Sequence, residues 1–137
     1  MSDYELYIGD ARDASDHEKI EKRDVDSVLK LTHNGNKDGY PESVDIHEHS
    51  MRDGPQNDPE IFRQAVETLQ KLFEKEETVF VHCNAGSSRS PTVSAAALAL
   101  HEEVEFETAL EAIRDSRDIR PHQALLDRGR AVVDELR

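Results

Sequence analysis

The only cysteine of the chain, Cys83, is followed after five residues by an arginine, Arg89, in the run Val81-His82-Cys83-Asn84-Ala85-Gly86-Ser87-Ser88-Arg89-Ser90. An apolar stretch at 78–81 leads into this run and a helix-compatible stretch at 90–100 leads out of it. Strand, tight loop and helix form a backbone that can wrap an anion. Successive amide N–H groups of a Gly-containing loop point inward where the loop opens a helix, and the helix dipole adds partial positive charge. A guanidinium at the end of the loop matches two phosphate oxygens with its planar fork. A thiol at the mouth of the same nest is drawn towards its anion, which is the nucleophilic form. Phosphate and nucleophile would then share one pocket, with Cys83 in line for attack at phosphorus and Asn84, Ala85, Gly86, Ser87, Ser88 and Arg89 holding the phosphate. An inert buried cysteine would account for neither Gly86 nor Arg89. An arginine beside the positive end of a helix is unfavourable unless an anion sits there.

This segment resembles the signature loop of the cysteine-dependent protein tyrosine phosphatases, and its ending Ser88-Arg89-Ser90-Pro91 is most similar to the dual-specificity branch. The resemblance is specific over 81–91, through the His before the Cys, the Gly three residues after it, the Ser after the Arg and the flanking elements. In order of elements it runs over 6–136. It implies a phosphomonoester hydrolase working through a cysteinyl-phosphate intermediate, with no metal and no cofactor. Cys83 would be the nucleophile, and Arg89 would bind phosphate and stabilise the transition state. His82 would order the loop and help hold the thiolate; its bland alternative is a satisfied strand histidine. Ser90 would hydrogen-bond the sulfur and help it leave in the second step; its alternative is a plain first-turn serine.

Attack by Cys83 expels an alkoxide or phenoxide, and expulsion is far easier if an acid protonates the leaving oxygen. In the resembling family that acid is an aspartate on a mobile loop before the helix that precedes the signature. Here the loop is Met51-Arg52-Asp53-Gly54-Pro55-Gln56-Asn57-Asp58. Asp53 is the assigned general acid, with Gly54 and Pro55 suited to a hinged turn. Asp58 is the runner-up but is placed to cap the following helix, and Asp53 as a mere turn residue is the remaining reading. Arg52 is either an accessory phosphate contact or a solvated charge.

At 137 residues the chain is long enough for one domain with a real core, and it reads as a single catalytic domain over 1–137. Hydrophobic residues are 36% and charged residues 34%, with a net charge of −13. Eleven arginines and six lysines face 30 acidic residues, and tryptophan is absent. Low hydrophobicity with high charge can signal disorder, but apolar runs at 25–31, 61–73, 78–81 and 92–100 argue for a fold. The alternative is salt adaptation: an acidic, lysine-poor surface of the kind that keeps proteins of halophilic prokaryotes soluble in concentrated electrolyte. The charge also speaks against nucleic acid or an anionic membrane as partner. One cysteine excludes a disulfide framework, a thiolate zinc cluster and an intramolecular disulfide with an oxidised Cys83. No signal peptide and no apolar run near 18 residues is present, so the chain is expected to be cytoplasmic; a monomer is expected as well.

The elements that must position the loop follow from pattern. Residues 5–8 read as a first strand, 14–23 as a polar helix with Ser15 or Asp16 as cap, 25–31 as a second strand and 43–49 as a third. Between the last two, Asn34-Gly35-Asn36 and Asp38-Gly39 mark a loop. Asp58-Pro59 gives a cap and a first-turn proline, and Ile61, Phe62, Ala65, Val66, Leu69, Leu72 and Phe73 keep helical spacing to Glu74. The strand 78–82 precedes the signature, an Ala-rich helix runs to about 102, and Phe106, Ala109, Leu110 and Ile113 mark another. Pro121 opens the last helix, with Leu125, Leu126, Val132 and Leu136 as its apolar face. Strands separated by helices predict an α/β fold: a mostly parallel sheet of four to five strands flanked by helices, with the Cys-x5-Arg loop between strand and helix. His47 and His49 share a strand face, but two ligands do not make a metal site.

The functional reading is a protein phosphatase acting on phosphotyrosine and on phosphoserine or phosphothreonine, with a phosphorylated protein or small phosphomonoester as its partner. The same pocket could take a phospholipid, an RNA 5′ end, a phospho-sugar or a nucleotide, although the loop lacks the lysines of lipid-acting relatives. A phosphate-binding module without catalysis would need a lost Cys, Arg or Asp, and none is lost. Arg89-Ser90 disfavours a sulfurtransferase, and the lack of further cysteines disfavours a disulfide-based arsenate reductase. The charge makes its own prediction. Raising potassium chloride should screen repulsion among carboxylates and raise the melting temperature. A melting temperature that is flat or falls with salt in differential scanning fluorimetry would mark an ordinary acidic protein.

Overall fold

The computed structural model describes residues 4–33 and 39–137. Its centre is a sheet of four parallel strands, β1 (Glu5–Gly9), β2 (Ser27–Lys30), β3 (Asp45–Glu48) and β4 (Thr78–His82), in the spatial order β1-β4-β2-β3. The signature strand β4 is therefore interior, with Tyr7 and Val28 on either side of Phe80 in register. An interior parallel strand is covered on both faces and reads as a continuous apolar run, which is what Val79-Phe80-Val81 is. Strand alternation splits that run between two cores. Val79 and Val81 join Leu29, Leu31 and the long helices on one face; Phe80 joins Val28, Ala14, Ile20, Val25 and Val44 on the other.

The larger face is covered by α3 (Pro59–Glu74), α4 (Arg89–Glu102), α5 (Phe106–Ser116) and α6 (Gln123–Leu136). The α4 helix is the hub. Its residues from Ser90 to Ala97 are buried on every side, as a helix enclosed by others must be. Ala95, Ala96, Ala97 and Ala99 are fully buried, and these small side chains let neighbouring helices approach closely. In α3 the buried set is Phe62, Ala65, Val66, Leu69, Leu72 and Phe73, so the expected stripe is the one that packs.

Several boundaries differ from the sequence expectation, each for a local reason. The first helix is two: α1 (Ala11–Ala14) opens with a capping box between Asp10 and Asp13 and ends at Ser15, and α2 (His17–Lys22) starts afresh at Asp16, whose carboxylate accepts from the Lys19 amide at 3.1 Å. The second and third strands are shorter than expected, with register pairing over Ser27–Lys30 and Asp45–Glu48 and only single backbone bonds continuing beyond. Pro121 does not open the last helix. His122 is its cap, in extended conformation, with Nδ1 accepting from the Ala124 amide at 3.1 Å, and Pro121 lies outside. The buried face of α6 is Leu125, Gly129, Val132 and Val133, with Leu126 and Leu136 only packed at its margin. The expected loop at Asn34-Gly35-Asn36 and Asp38 lies outside the described residues. No helix among the described residues is long and apolar enough to cross a membrane.

The cap of α3 is as the sequence implied, with Asp58 Oδ1 accepting from the Glu60 amide at 2.9 Å and Pro59 in the first turn. Removing that acceptor with Asp58→Ala is expected to destabilise the fold by about 1 kcal/mol. Urea unfolding measures it, and an unchanged midpoint would show the cap to be idle.

Candidate active site

The residues 83–88 leave the buried end of β4, turn above the sheet and enter α4 at Arg89. Cys83 is 2% exposed, and the Gly86 N–H donates to its Sγ at 3.2 Å. The amide dipole is thus aimed at the sulfur. The turn that aims it needs Gly86 at φ +69°, in the left-handed region, and a Cβ there would lie 2.7 Å from the Gly9 carbonyl oxygen. The loop is held from outside on three sides. Asn84 O accepts from the Ala11 amide at 3.0 Å, Ser87 O from the Arg120 amide at 2.8 Å, and Gly86 O from Arg117 Nε at 2.9 Å. Arg117 also donates from Nη1 to Ile8 O at 3.0 Å, so one guanidinium ties the loop to the end of β1. With its carbonyls held outward, the loop can turn its amides inward.

Arg89 Nη1 donates to the Met51 carbonyl at 2.9 Å. Among the described residues it is the only guanidinium nitrogen of Arg89 so engaged, and the remaining donors can form the fork that phosphate requires. The same contact fastens the start of the loop that carries Asp53. Asp53 is exposed and caps the short 3-10 turn Gly54–Gln56, where Gly54 N–H donates to Oδ1 at 3.0 Å. The Ser88 hydroxyl donates to the same Oδ1 at 2.7 Å. Asp53 and Ser88 of the signature loop, 35 residues apart in sequence, are thus in direct contact. Asp58 is committed to its cap, and Arg52 donates to Gln56 Oε1 at 2.7 Å on the exposed side.

His82 is 1% exposed. Burial pushes its pKa below the ordinary value, so the ring is neutral. Tyr40, whose own pKa is pushed up to about 12 by burial and by Glu48, keeps its proton and donates to His82 Nε2 at 2.7 Å. The ring hydrogen is then on Nδ1, 3.4 Å from the Cys83 carbonyl. His82 therefore meets the backbone of the nucleophile and brings no charge to the sulfur, which narrows the expected role of holding the thiolate. Ser90 also differs from expectation. Its Oγ is fully buried and, among the described residues, has no hydrogen-bond partner, so the bond to Cys83 Sγ is not formed. No group of three or more metal-ligating side chains occurs among the described residues, and His49 instead pairs with Thr68 Oγ1 at 2.9 Å.

The family model for the dual specificity phosphatase catalytic domain matches residues 6–127. The chain belongs to this family. The domain is that of a cysteine-dependent phosphatase. It is 33% identical over 99 residues to human dual specificity protein phosphatase 9, covering 68% of this chain and 25% of that one. It is 28% identical over 128 residues to dual specificity protein phosphatase 26 of Bos taurus, covering 88% of this chain and 60% of the relative. The chain thus spans less than two thirds of these relatives. The crystal structure of human DUSP28 shares the fold, with a TM-score of 0.85 at 19% identity, over 96% of this chain and 92% of that one.

In this dual specificity phosphatase domain the residues that sequence reasoning missed all reach the loop from afar. Arg117, His122 and Tyr40 lie 31 to 42 positions from their partners in the signature segment, and no local pattern marks them. The left-handed turn at Gly86 yields a test. Gly86→Ala must move either the Gly9 carbonyl or the turn itself, and so misaims the amides. Inhibition by inorganic phosphate or vanadate is expected to weaken at least about tenfold, the scale of one charge-assisted hydrogen bond. An inhibition constant within twofold of the parent would show that the turn is not under this constraint.

Proposed function

We propose that this domain is a protein phosphatase that hydrolyses phosphotyrosine, and phosphoserine and phosphothreonine with it, through a phosphorylated Cys83. The observation that supports it most directly is the Gly86 N–H aimed at Cys83 Sγ within a loop that ends in Arg89. The backbone of 84–89 and the guanidinium of Arg89 hold the three phosphate oxygens, and the thiolate attacks phosphorus opposite the leaving oxygen. The P–O bond breaks as the S–P bond forms, and Asp53 passes its proton to the leaving oxygen. Asp53, now a carboxylate, takes a proton from the water that attacks the cysteinyl phosphate. Inorganic phosphate leaves and the thiolate is restored. Ser90 acts in this second step. A buried hydroxyl without a partner is unfavourable by about 1–3 kcal/mol, and a rotation about its side chain would let it donate to the sulfur as negative charge returns there.

The proposal extends to setting. The loop residues Asn84, Ala85, Ser87 and Ser88 carry no positive charge, which fits a single phosphomonoester better than a polyphosphorylated lipid. The excess of carboxylates fits a monomeric cytoplasmic enzyme adapted to salt, with no nucleic acid or membrane as partner. Turnover across phosphopeptides, phosphoinositides, RNA 5′ ends, phospho-sugars and nucleotides distinguishes the substrates. Preference for any class other than phosphopeptides would redirect the assignment.

Cys83→Ser is expected to abolish hydrolysis of an aryl phosphate while phosphate binding persists, and rapid quench of the parent should trap phosphorylated Cys83. Metal-dependent turnover surviving the substitution would sink the mechanism. Asp53→Asn is expected to slow a poor leaving group, such as an alkyl phosphate, far more than an activated aryl phosphate, and to remove the alkaline fall of the pH–rate profile. An equal loss on both substrates would take the general acid away from Asp53.

A further inference from the structure

Ser88 occupies the last place before Arg89 and is 6% exposed. It stands at the start of α4, but its side chain makes no capping bond to that helix. Two other partners engage its hydroxyl. The backbone N–H of His122 donates to Ser88 Oγ at 2.9 Å, and Ser88 Oγ lies 2.7 Å from Asp53 Oδ1. A hydroxyl has one hydrogen and can accept through its lone pairs. An amide N–H can only donate, so the His122 contact uses a lone pair of Ser88, and the hydroxyl hydrogen is directed at Asp53. Oδ1 already accepts from the Gly54 amide at 3.0 Å. Two donors converge on Oδ1, and a proton placed there would compete with both. The other carboxyl oxygen, Oδ2, has no such neighbours among the described residues.

The segment that supplies the His122 amide also braces the acid loop. Gly54 adopts φ +83°, and a Cβ at that position would lie 3.3 Å from His122 Nε2. The ring thus packs over the residue next to Asp53, while its Nδ1 is fixed by the Ala124 amide at the start of α6. The acid is held by its own turn, by Ser88 and by the ring of His122.

From this geometry we infer that Ser88 is the positioning residue of the general acid. Its hydroxyl, oriented by the His122 amide, keeps Asp53 Oδ1 as an acceptor and reserves Oδ2 to carry the proton given to the leaving oxygen. The inference rests on Asp53 being the acid. Ser88 is then bifunctional: its backbone belongs to the phosphate loop and its side chain belongs to proton transfer. The two halves of the reaction, phosphate binding and leaving-group protonation, are joined at one residue.

Ser88→Ala retains the backbone N–H and removes only the hydroxyl. It is expected to lower kcat for a poor leaving group about tenfold more than kcat for an activated aryl phosphate, the scale of one net hydrogen bond, whatever loss the two substrates share. The double variant Ser88→Ala/Asp53→Asn is expected to be no slower on the poor leaving group than Asp53→Asn alone, because one residue acts through the other. Losses that multiply, or a Ser88→Ala loss equal on both substrates, would overturn the positioning role. Asp53→Asn alone separates this from failure of the underlying reading. If it shows the leaving-group effect and Ser88→Ala does not, the acid stands and the inference falls. If Asp53→Asn shows no such effect, the acid is elsewhere and both fall.

Discussion

The bond from the Gly86 N–H to Cys83 Sγ sets the terms for the rest of the molecule. A buried sulfur that carries negative charge needs dipoles in place before any ligand arrives, because reorganising them during the reaction would add to the barrier. Backbone amides are fixed dipoles only where the chain is forced to turn them the same way. Forcing that turn requires a glycine in the left-handed region, carbonyls held outward by Ala11, Arg117 and Arg120, and a helix whose first turn is immobile. The burial of α4 on every side supplies the last condition. The sheet order then makes sense as a support: β4 lies between β1 and β2, so the residue that starts the loop is braced by both.

Charge is distributed with the same economy. Over the surface, cations are taken up in ion pairs along the helices: Arg63 with Glu60, Glu67 and Glu135, Arg114 with Glu111, and Arg130 with Glu107 and Asp127. Such exposed pairs contribute little to stability, about 0–1 kcal/mol each. The two arginines at the loop are engaged differently, through backbone carbonyls: Arg89 on Met51, Arg117 on Gly86 and Ile8. A carbonyl orients a guanidinium without neutralising it. Positive charge is therefore preserved where a phosphate would bind, in a domain whose net charge is −13.

Legibility in the sequence followed the range of the interactions. The signature loop, β4, the stripe of α3 and the Asp58 cap are local, and their residue types and spacing state them directly. Asp53 could be named only by resemblance, since nothing in Met51 to Asp58 says that this turn folds back onto Ser88. Arg117 looked like any charge in a polar stretch, and its two contacts span 31 and 109 positions. The neutrality of His82 depends on burial, and its ring partner Tyr40 lies 42 positions away, so the histidine alone could not reveal either. The first helix misled because Asp10 and Asp13, which start α1 by capping each other's backbone, and Asp16, which starts α2, are indistinguishable from solvated acids in so acidic a chain. Ser90 is a different case: its hydroxyl is buried without a partner among the described residues, and the rotamer that decides this is not written in the sequence.

Arg117 has one more consequence, which concerns synthesis. Ribosomes deliver the chain from the N-terminus, and domains fold as their contacts emerge. By the time α4 is available, all four strands and the nucleophile have been made. The carbonyls of Gly86, Ser87 and Ile8 still lack their partners, because these come from Arg117 and Arg120. The Ser88 hydroxyl also awaits the amide of His122. A nascent chain halted before residue 117 would hold its cysteine in a loop with one of its three outside supports, the Ala11 amide on the Asn84 carbonyl. The remaining supports arrive only with 117–122, just before α6, so the order of residues along the chain makes the loop around the cysteine one of the last parts of the domain to be completed.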